Sequence, residues 1–178
     1  MPDMLKRYRG EVLPALKERG GYSNDLQVPK LTKIVISTGI GSDKERDTFD
    51  DAKTQITAIT GQRPVVVNAK KNVASFKLRR GMPVGLMVTL RGKKMYEFYD
   101  RLVHNALPRV KDFRGVSSKG FDGSGNYNMG LDDVSVFTEI DLDKVKHQIG
   151  INISMVTTAK TDEEALVLLK EMDMPFAE

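Results

Sequence analysis

Catalysis in this 178-residue sequence would have to start from few groups: His104, His147, a handful of acid pairs, a Gly-x-Gly turn after a strand-like run, and no Cys. Without Cys there is no thiolate for a nucleophile, a zinc site or a disulfide. Neither histidine stands at metal-ligand spacing from the other, and each reads as a partly packed surface residue. The turn Thr38–Asp43 (TGIGSD) follows a strand-like run, where a helix N-terminus could hold a phosphate. The dinucleotide pattern wants a further glycine where Lys44 stands. Asp43 and Glu45 would also repel a phosphate, so a structural turn is expected. Asp132-Asp133 and Asp141/Asp143 lie in turn contexts, where Asp accepts backbone hydrogen bonds. The segment FDGSGNYNMG (Phe121–Gly130) lacks EF-hand spacing. The expectation is a protein that is not an enzyme, with no cofactor and no resident metal.

The cations point elsewhere. Lys70, Lys71, Lys77, Arg79 and Arg80 fall within NAKKNVASFKLRRGMPVG (Asn68–Gly85) with no acid among them. Charge is segregated along the chain. Residues 1–60 hold ten Lys/Arg against nine acids, residues 61–119 fourteen against three, and residues 120–178 four against twelve. A basic block of this size is a footprint for a polyanion, although a short basic run can also be a solvated loop. Lys and Arg attract phosphates without regard to sequence. Selectivity needs amides and hydroxyls for base edges and 2′-OH groups, and Gln62, Asn68, Asn72, Ser75 and Thr89 supply them nearby. Phe76 is either a stacking platform or an anchor for the loop. The acidic last third either meets a basic protein or keeps the molecule soluble.

Hydrophobic residues make up 40% of the chain and charged residues 29%, which suits a globular domain. No apolar run approaches bilayer length and no signal peptide is evident, so no membrane role and a cytoplasmic location are expected. A helix is predicted over Leu5–Arg19, with Pro14 kinking it or marking a second start. Strands are predicted at Leu31–Thr38, Pro64–Asn68, Val84–Leu90, Val134–Ile140 and Ile149–Thr158. Phe49, Ala52, Ile56 and Ile59 mark a second helix behind a Ser42/Glu45 capping box. Met95, Phe98, Tyr99, Leu102 and Ala106 mark a third that ends before Pro108. Thr161 and Glu164 cap a last one, with Ala165, Leu168, Leu169 and Met172 inward. Arg109–Gly130 reads as a long loop. Strands and helices do not alternate strictly, which argues for an α+β fold: a mostly antiparallel twisted sheet with helices packed on one face and an extended basic loop at 69–83. The chain reads as a single domain, with the second sheet face left free.

Several long motifs then occur in one order: ITGQRPVVVNAKKNVASFKLRRGMPVGLMVTLRG, MYEFYDRL, ALPRVKDFRG, FDGSGNY and TTAKTDEEALVLL. Together they resemble the bacterial large-subunit ribosomal protein five family, the 5S rRNA-binding family, over nearly the whole chain. The resemblance implies a structural, ribosome-associated protein that attaches 5S rRNA to the large subunit in the central protuberance. Its implied partners are 5S rRNA, large-subunit rRNA, P-site tRNA, a small-subunit head protein and other central-protuberance ribosomal proteins. A free RNA-binding regulator is the alternative.

Carried onto this sequence, the resemblance assigns 5S rRNA binding to Ser37, Gln62 and Thr89, with Lys33 and Arg63 as phosphate partners. It assigns tRNA contact to Lys70, Lys71, Asn72, Ser75, Phe76, Lys77, Arg79 and Arg80. An intersubunit bridge falls to Arg109, Lys111, Asp112, Phe113 and Arg114 in the loop ALPRVKDFRG, or to the acidic last third. Two positions depart from the family pattern. Ser37 stands where Asn is usual, which keeps a donor and an acceptor but loses amide reach. Ser124 stands where Arg is frequent, which removes a phosphate contact.

Overall fold

A computed structural model describes residues 3–41, 46–141 and 145–177. Its strands are β1 (Leu31–Gly39), β2 (Val65–Asn68), β3 (Pro83–Leu90), β4 (Tyr127–Leu131) and β5 (Ile151–Thr157). They form one sheet in the order β2-β3-β1-β5-β4, with every neighbouring pair antiparallel. The helices are α1 (Asp3–Arg7), α2 (Leu13–Gly20), α3 (Arg46–Thr60), α4 (Gly92–Arg101) and α5 (Asp162–Glu171). The α+β architecture expected from the element pattern is therefore present.

Alternation decides which face is covered. In β1, Leu31, Ile34, Ile36 and Thr38 are buried, while Lys33, Val35 and Ser37 turn outward. Ile36 lies opposite Val88 on one side and Ile153 on the other, and both are buried. Onto these the helices bring Ile56 and Ile59 from α3, Phe98 and Tyr99 from α4, and Leu168 and Leu169 from α5. Burying each such side chain contributes roughly 1.5–3 kcal/mol, so the helical layer is held by its apolar stripes.

Pro14 acts as a restart. α1 runs through a π turn over Tyr8–Val12 into α2, where Pro14 occupies the first turn. The Leu13 N–H reaches back to the Tyr8 carbonyl, five residues away. Pro14 has no N–H to donate, and the widened turn lets the chain continue past it. The N-terminal helices are tied to the rest by Tyr8, whose hydroxyl donates to the Pro29 carbonyl at 2.9 Å. Arg7 also forms a two-pronged ion pair with Asp173. Burial, helped by the neighbouring Tyr96, pushes the Tyr8 hydroxyl up to about 12.

Two sequence-based assignments are corrected. Val134–Ile140 is not a strand. Asp133 accepts from the Ser135 N–H at 2.8 Å and starts a 3-10 turn over Val134–Val136. Val134, Phe137 and Ile140 are then buried at a spacing of three. Conversely, the end of the supposed loop Arg109–Gly130 contains β4, whose Tyr127 and Leu131 are buried at alternate positions. α4 continues as a π turn over Leu102–Ala106 and a 3-10 turn over Leu107–Arg109 that takes in Pro108. The Thr161 cap is in place, accepting from the Glu164 N–H at 3.3 Å. The Ser42/Glu45 capping box, Asp43 and Asp143 lie outside the described residues.

Candidate nucleic-acid interface

The outward face of the sheet is built from cross-strand rows. One row runs Thr89, Val35, Ser154, Asn128, and the next runs Val65, Met87, Ser37, Asn152, Gly130. Lys33 lies opposite Val156 at one end. These positions offer hydroxyls, carboxamides and short apolar surfaces, and no carboxylate. Gln62 reaches the same surface from the turn after α3, where its side-chain N–H donates to the Thr89 carbonyl at 3.4 Å. The Thr60 hydroxyl holds that turn by accepting from the Gln62 N–H at 3.3 Å. Arg63 follows, exposed. Lys33, Ser37, Gln62 and Thr89, assigned together with Arg63 from the resemblance, thus come from three separate stretches of chain to one side of the sheet.

Sequence reasoning missed part of this surface. Asn128, Asn152 and Ser154 share the rows of Ser37 and Thr89. Their signal was present in IGINISMVTT, where Asn152 and Ser154 alternate with Ile151, Ile153 and Met155. The Asn152 carboxamide lies over Gly130, since a Cβ added there would sit 3.5 Å from its Oδ1. Ser37 sits in mid-row, between Met87 and Asn152.

The basic stretch is a finger that prolongs the β2–β3 hairpin. At its base Ala69 donates to Met82 at 2.8 Å, and Gly81 donates back to Ala69 at 2.9 Å. Nearer the tip the Asn72 side chain accepts from the Arg80 N–H at 2.7 Å. At the tip Val73 and Leu78 exchange both backbone hydrogen bonds at 3.0 Å. A 3-10 turn over Ala74–Phe76 lies inside that bridge. These bonds hold the finger's backbone to itself. Lys70, Lys71, Asn72, Ser75, Phe76, Lys77, Arg79 and Arg80 are all exposed. Among the described residues none of the five cations pairs with an acid.

The bridge candidates occupy the turn after α4. Arg109, Lys111, Asp112 and Arg114 are exposed, whereas Phe113 packs partly against the core. Asp112 adopts φ 55°, which folds the loop back on itself.

Of the groups considered for chemistry, Asp133 and both histidines have structural partners, as do the neighbouring Asp122 and Asp162. Asp122 and Asp162 hold the glycine loop, and Asp133 caps its 3-10 turn. His104 contacts Asp100 at 2.8 Å, and the His147 N–H donates to Asp51 at 2.9 Å. No group of three or more His, Cys, Asp or Glu among the described residues could hold a metal ion. No described helix is long and apolar enough to cross a membrane.

Comparison with known proteins agrees with this geometry. Residues 24–79 match the family described as ribosomal protein L5, and residues 83–176 match the ribosomal L5P family C-terminus. Curated relatives named large ribosomal subunit protein uL5 are similar over nearly their full length. The one from Flavobacterium johnsoniae is 53% identical over 176 residues, covering 98% of this chain and 96% of its own. The one from Natranaerobius thermophilus is 51% identical and the one from Alkaliphilus oremlandii 54%, each over 178 residues and 99% of both chains. A polar sheet face beside a cationic finger suits an RNA-binding component, and with these matches the chain belongs to the ribosomal protein L5 family, whose members are structural, non-catalytic constituents of the large subunit in cytoplasmic ribosomes.

Proposed function

We propose that the chain holds 5S rRNA to the large subunit through its open sheet face and reaches P-site tRNA through its finger. The open face carries this reading. Ser37, Thr89, Asn128, Asn152 and Ser154 present donors and acceptors in register on a rigid sheet, with Gln62 at its margin. Such groups suit the 2′-hydroxyls and base edges of a folded RNA. Lys33 and Arg63 add phosphate contacts. The finger carries cations instead, and a contact made to shape and phosphates accepts every tRNA alike. Arg109, Lys111 and Arg114, presented by the turn that Phe113 anchors, form the bridge to a small-subunit head protein. The whole chain acts as one unit, because β1 and β2 from the first matched segment interleave with β3 and β5 from the second in a single sheet.

The test is a salt titration of the purified protein against 5S rRNA and an unrelated RNA of equal length. A preference for 5S rRNA that survives moderate salt is expected, and Gln62→Ala, Thr89→Val and Asn152→Ala should each reduce it. Equal, salt-sensitive loss for both RNAs would refute a structure-reading sheet face, since phosphate contacts alone behave that way.

A further inference from the structure

β2 is the last strand on its side of the sheet, with β3 as its one neighbour. Register fixes which of its backbone groups are left over. Ile40 donates its N–H to the Val84 carbonyl at 2.9 Å, so Val84 and, by alternation, Leu86 turn their polar groups to β1. Gly85 and Met87 then turn theirs to Val67 and Val65. Beyond β2, Ala69 also bonds inward, donating to Met82 and accepting from Gly81. Val66 and Asn68 therefore point their N–H and C=O groups out of the sheet, donors and acceptors along one edge.

The opposite edge of the sheet is covered by the chain itself. There Phe121 bridges to Tyr127, and Gly120 lies so close that an added Cβ would sit 2.3 Å from the Asn128 carbonyl oxygen. At β2 all four residues are exposed. α3 starts well away from this edge: its Asp51 and Gln55 are bonded to His147, just ahead of β5 and three strands over. Of the six large hydrophobic residues that stand exposed among the described residues, Val65, Val66, Val67 and the facing Met87 make up four. Natural sheets often blunt such an edge with charged side chains, and β2 carries none. Its β-branched residues suit pairing with a further strand. Pro64 ahead of it and the register shift after Val67 keep it short, so the ends of any added strand must contribute to binding.

Those ends meet cations. Arg63 precedes β2 and Lys70 and Lys71 follow it, all exposed. A second copy pairing edge to edge would set Arg63 against Lys70 when antiparallel, or Arg63 against Arg63 when parallel. Like charges across a pair are unfavourable. RNA phosphates accept hydrogen bonds but do not donate them, and valine gives a base nothing to bond to or stack on.

We infer that the β2 edge accepts an extended acidic peptide segment as an added strand. Its middle would be apolar and β-branched, lying along Val65–Val67, and its terminal carboxylates would meet Arg63 and Lys70 or Lys71. Main-chain bonds to Val66 and Asn68 supply the affinity, and the charges choose the partner. The proposed function gives the same cations to phosphates, so the segment belongs to the chain while it is free of RNA.

The probe is a blocked, labelled peptide of alternating valine and threonine with a pair of glutamates at each end. It should bind the protein and slow amide exchange at Val66 and Asn68. Lysines in place of its glutamates should weaken binding about tenfold, as expected when several cross-strand charge pairs turn from opposite to like. Methylating its middle backbone nitrogens should abolish binding. Val66→Pro removes an outward N–H where an edge strand tolerates proline, and should abolish binding too. Arg63→Glu combined with Lys70→Glu should reverse the preference toward the lysine peptide, a gain that misfolding cannot imitate. Equal binding of the two peptides, or binding without protection of Val66 and Asn68, would overturn the inference. Protection of those two amides by 5S rRNA and by neither peptide would assign the edge to RNA and overturn it as well.

Discussion

The carboxylate of Asp122 accepts three hydrogen bonds: from the Asn126 side-chain amide at 2.8 Å, the Ser124 N–H at 2.9 Å and the Asn126 N–H at 3.1 Å. The Asn126 amide, then the two backbone groups, hold this carboxyl below its ordinary range. All three favour the charged form, so the folded value lies under the unfolded one, near 4. The contribution is complete above that unfolded value and is lost as pH falls through the lower, folded one. The amide proton shifts of Ser124 and Asn126 should therefore titrate together below about pH 4, and Asp122→Asn should abolish the titration. A midpoint at the ordinary Asp value would refute the hydrogen-bond account. The loop around Asp122 was legible in the sequence, and an Asp bonding two and four residues ahead is a local event within it. The matching role of Asp162, which accepts from Gly123 at 3.0 Å and Gly125 at 2.9 Å, was not. Nothing local connects a helix N-terminus to glycines nearly forty residues earlier.

Among the elements, the two glycines of the β1–β3 pairing make opposite demands. Gly85→Ala pushes a methyl group against the Thr38 carbonyl, which is backbone and cannot swing aside. The ladder between β1 and β3 must shift, and a loss of about 1–3 kcal/mol in denaturant unfolding is expected, the usual range for overpacking. Gly39→Ala, one pair partner away, should cost nothing or gain slightly. Equal losses for both would mean that the strand pairing is looser than its register implies. The strands that sequence reasoning found, such as LTKIVIST, have β-branched runs with a clear inward face. β4 (YNMGL) was hidden because Asn128 and Gly130 are turn formers by type, yet here they are the outward positions of a strand whose Tyr127 and Leu131 are buried. VSVFTEI misled in the other direction. Its β-branched composition outweighed the spacing of three between Val134, Phe137 and Ile140, which matches a 3-10 turn. Placing the rows of the open face needed strand order and register, so the neighbours of Ser37 could not be named from composition.

At the scale of the whole molecule, the two surfaces proposed to meet RNA are separated by the fold. The sheet face is rigid and nearly neutral, while the finger is cationic and held at its base by the β2–β3 ladder. Because the finger's five cations have no carboxylate partners among the described residues, removing them should not unfold anything. The combined change Lys70→Gln, Lys71→Gln, Arg79→Gln and Arg80→Gln should leave the thermal melt and 5S rRNA affinity within about twofold of the starting protein. Each lost phosphate contact removes roughly 0.7–0.9 from the slope of log K against log salt. Binding of tRNA through the finger should then lose up to about 3 from that slope, with faster release of tRNA from the P site of reconstituted ribosomes. The backbone bond from Arg80 to Asn72 survives these changes, so the finger keeps its shape and only its charge is tested. A collapse of 5S rRNA binding in this variant would mean that finger and sheet grip the same RNA, and the division of labour between them would fall. An unchanged salt slope for tRNA would mean that the finger's cations do not touch its phosphates at all.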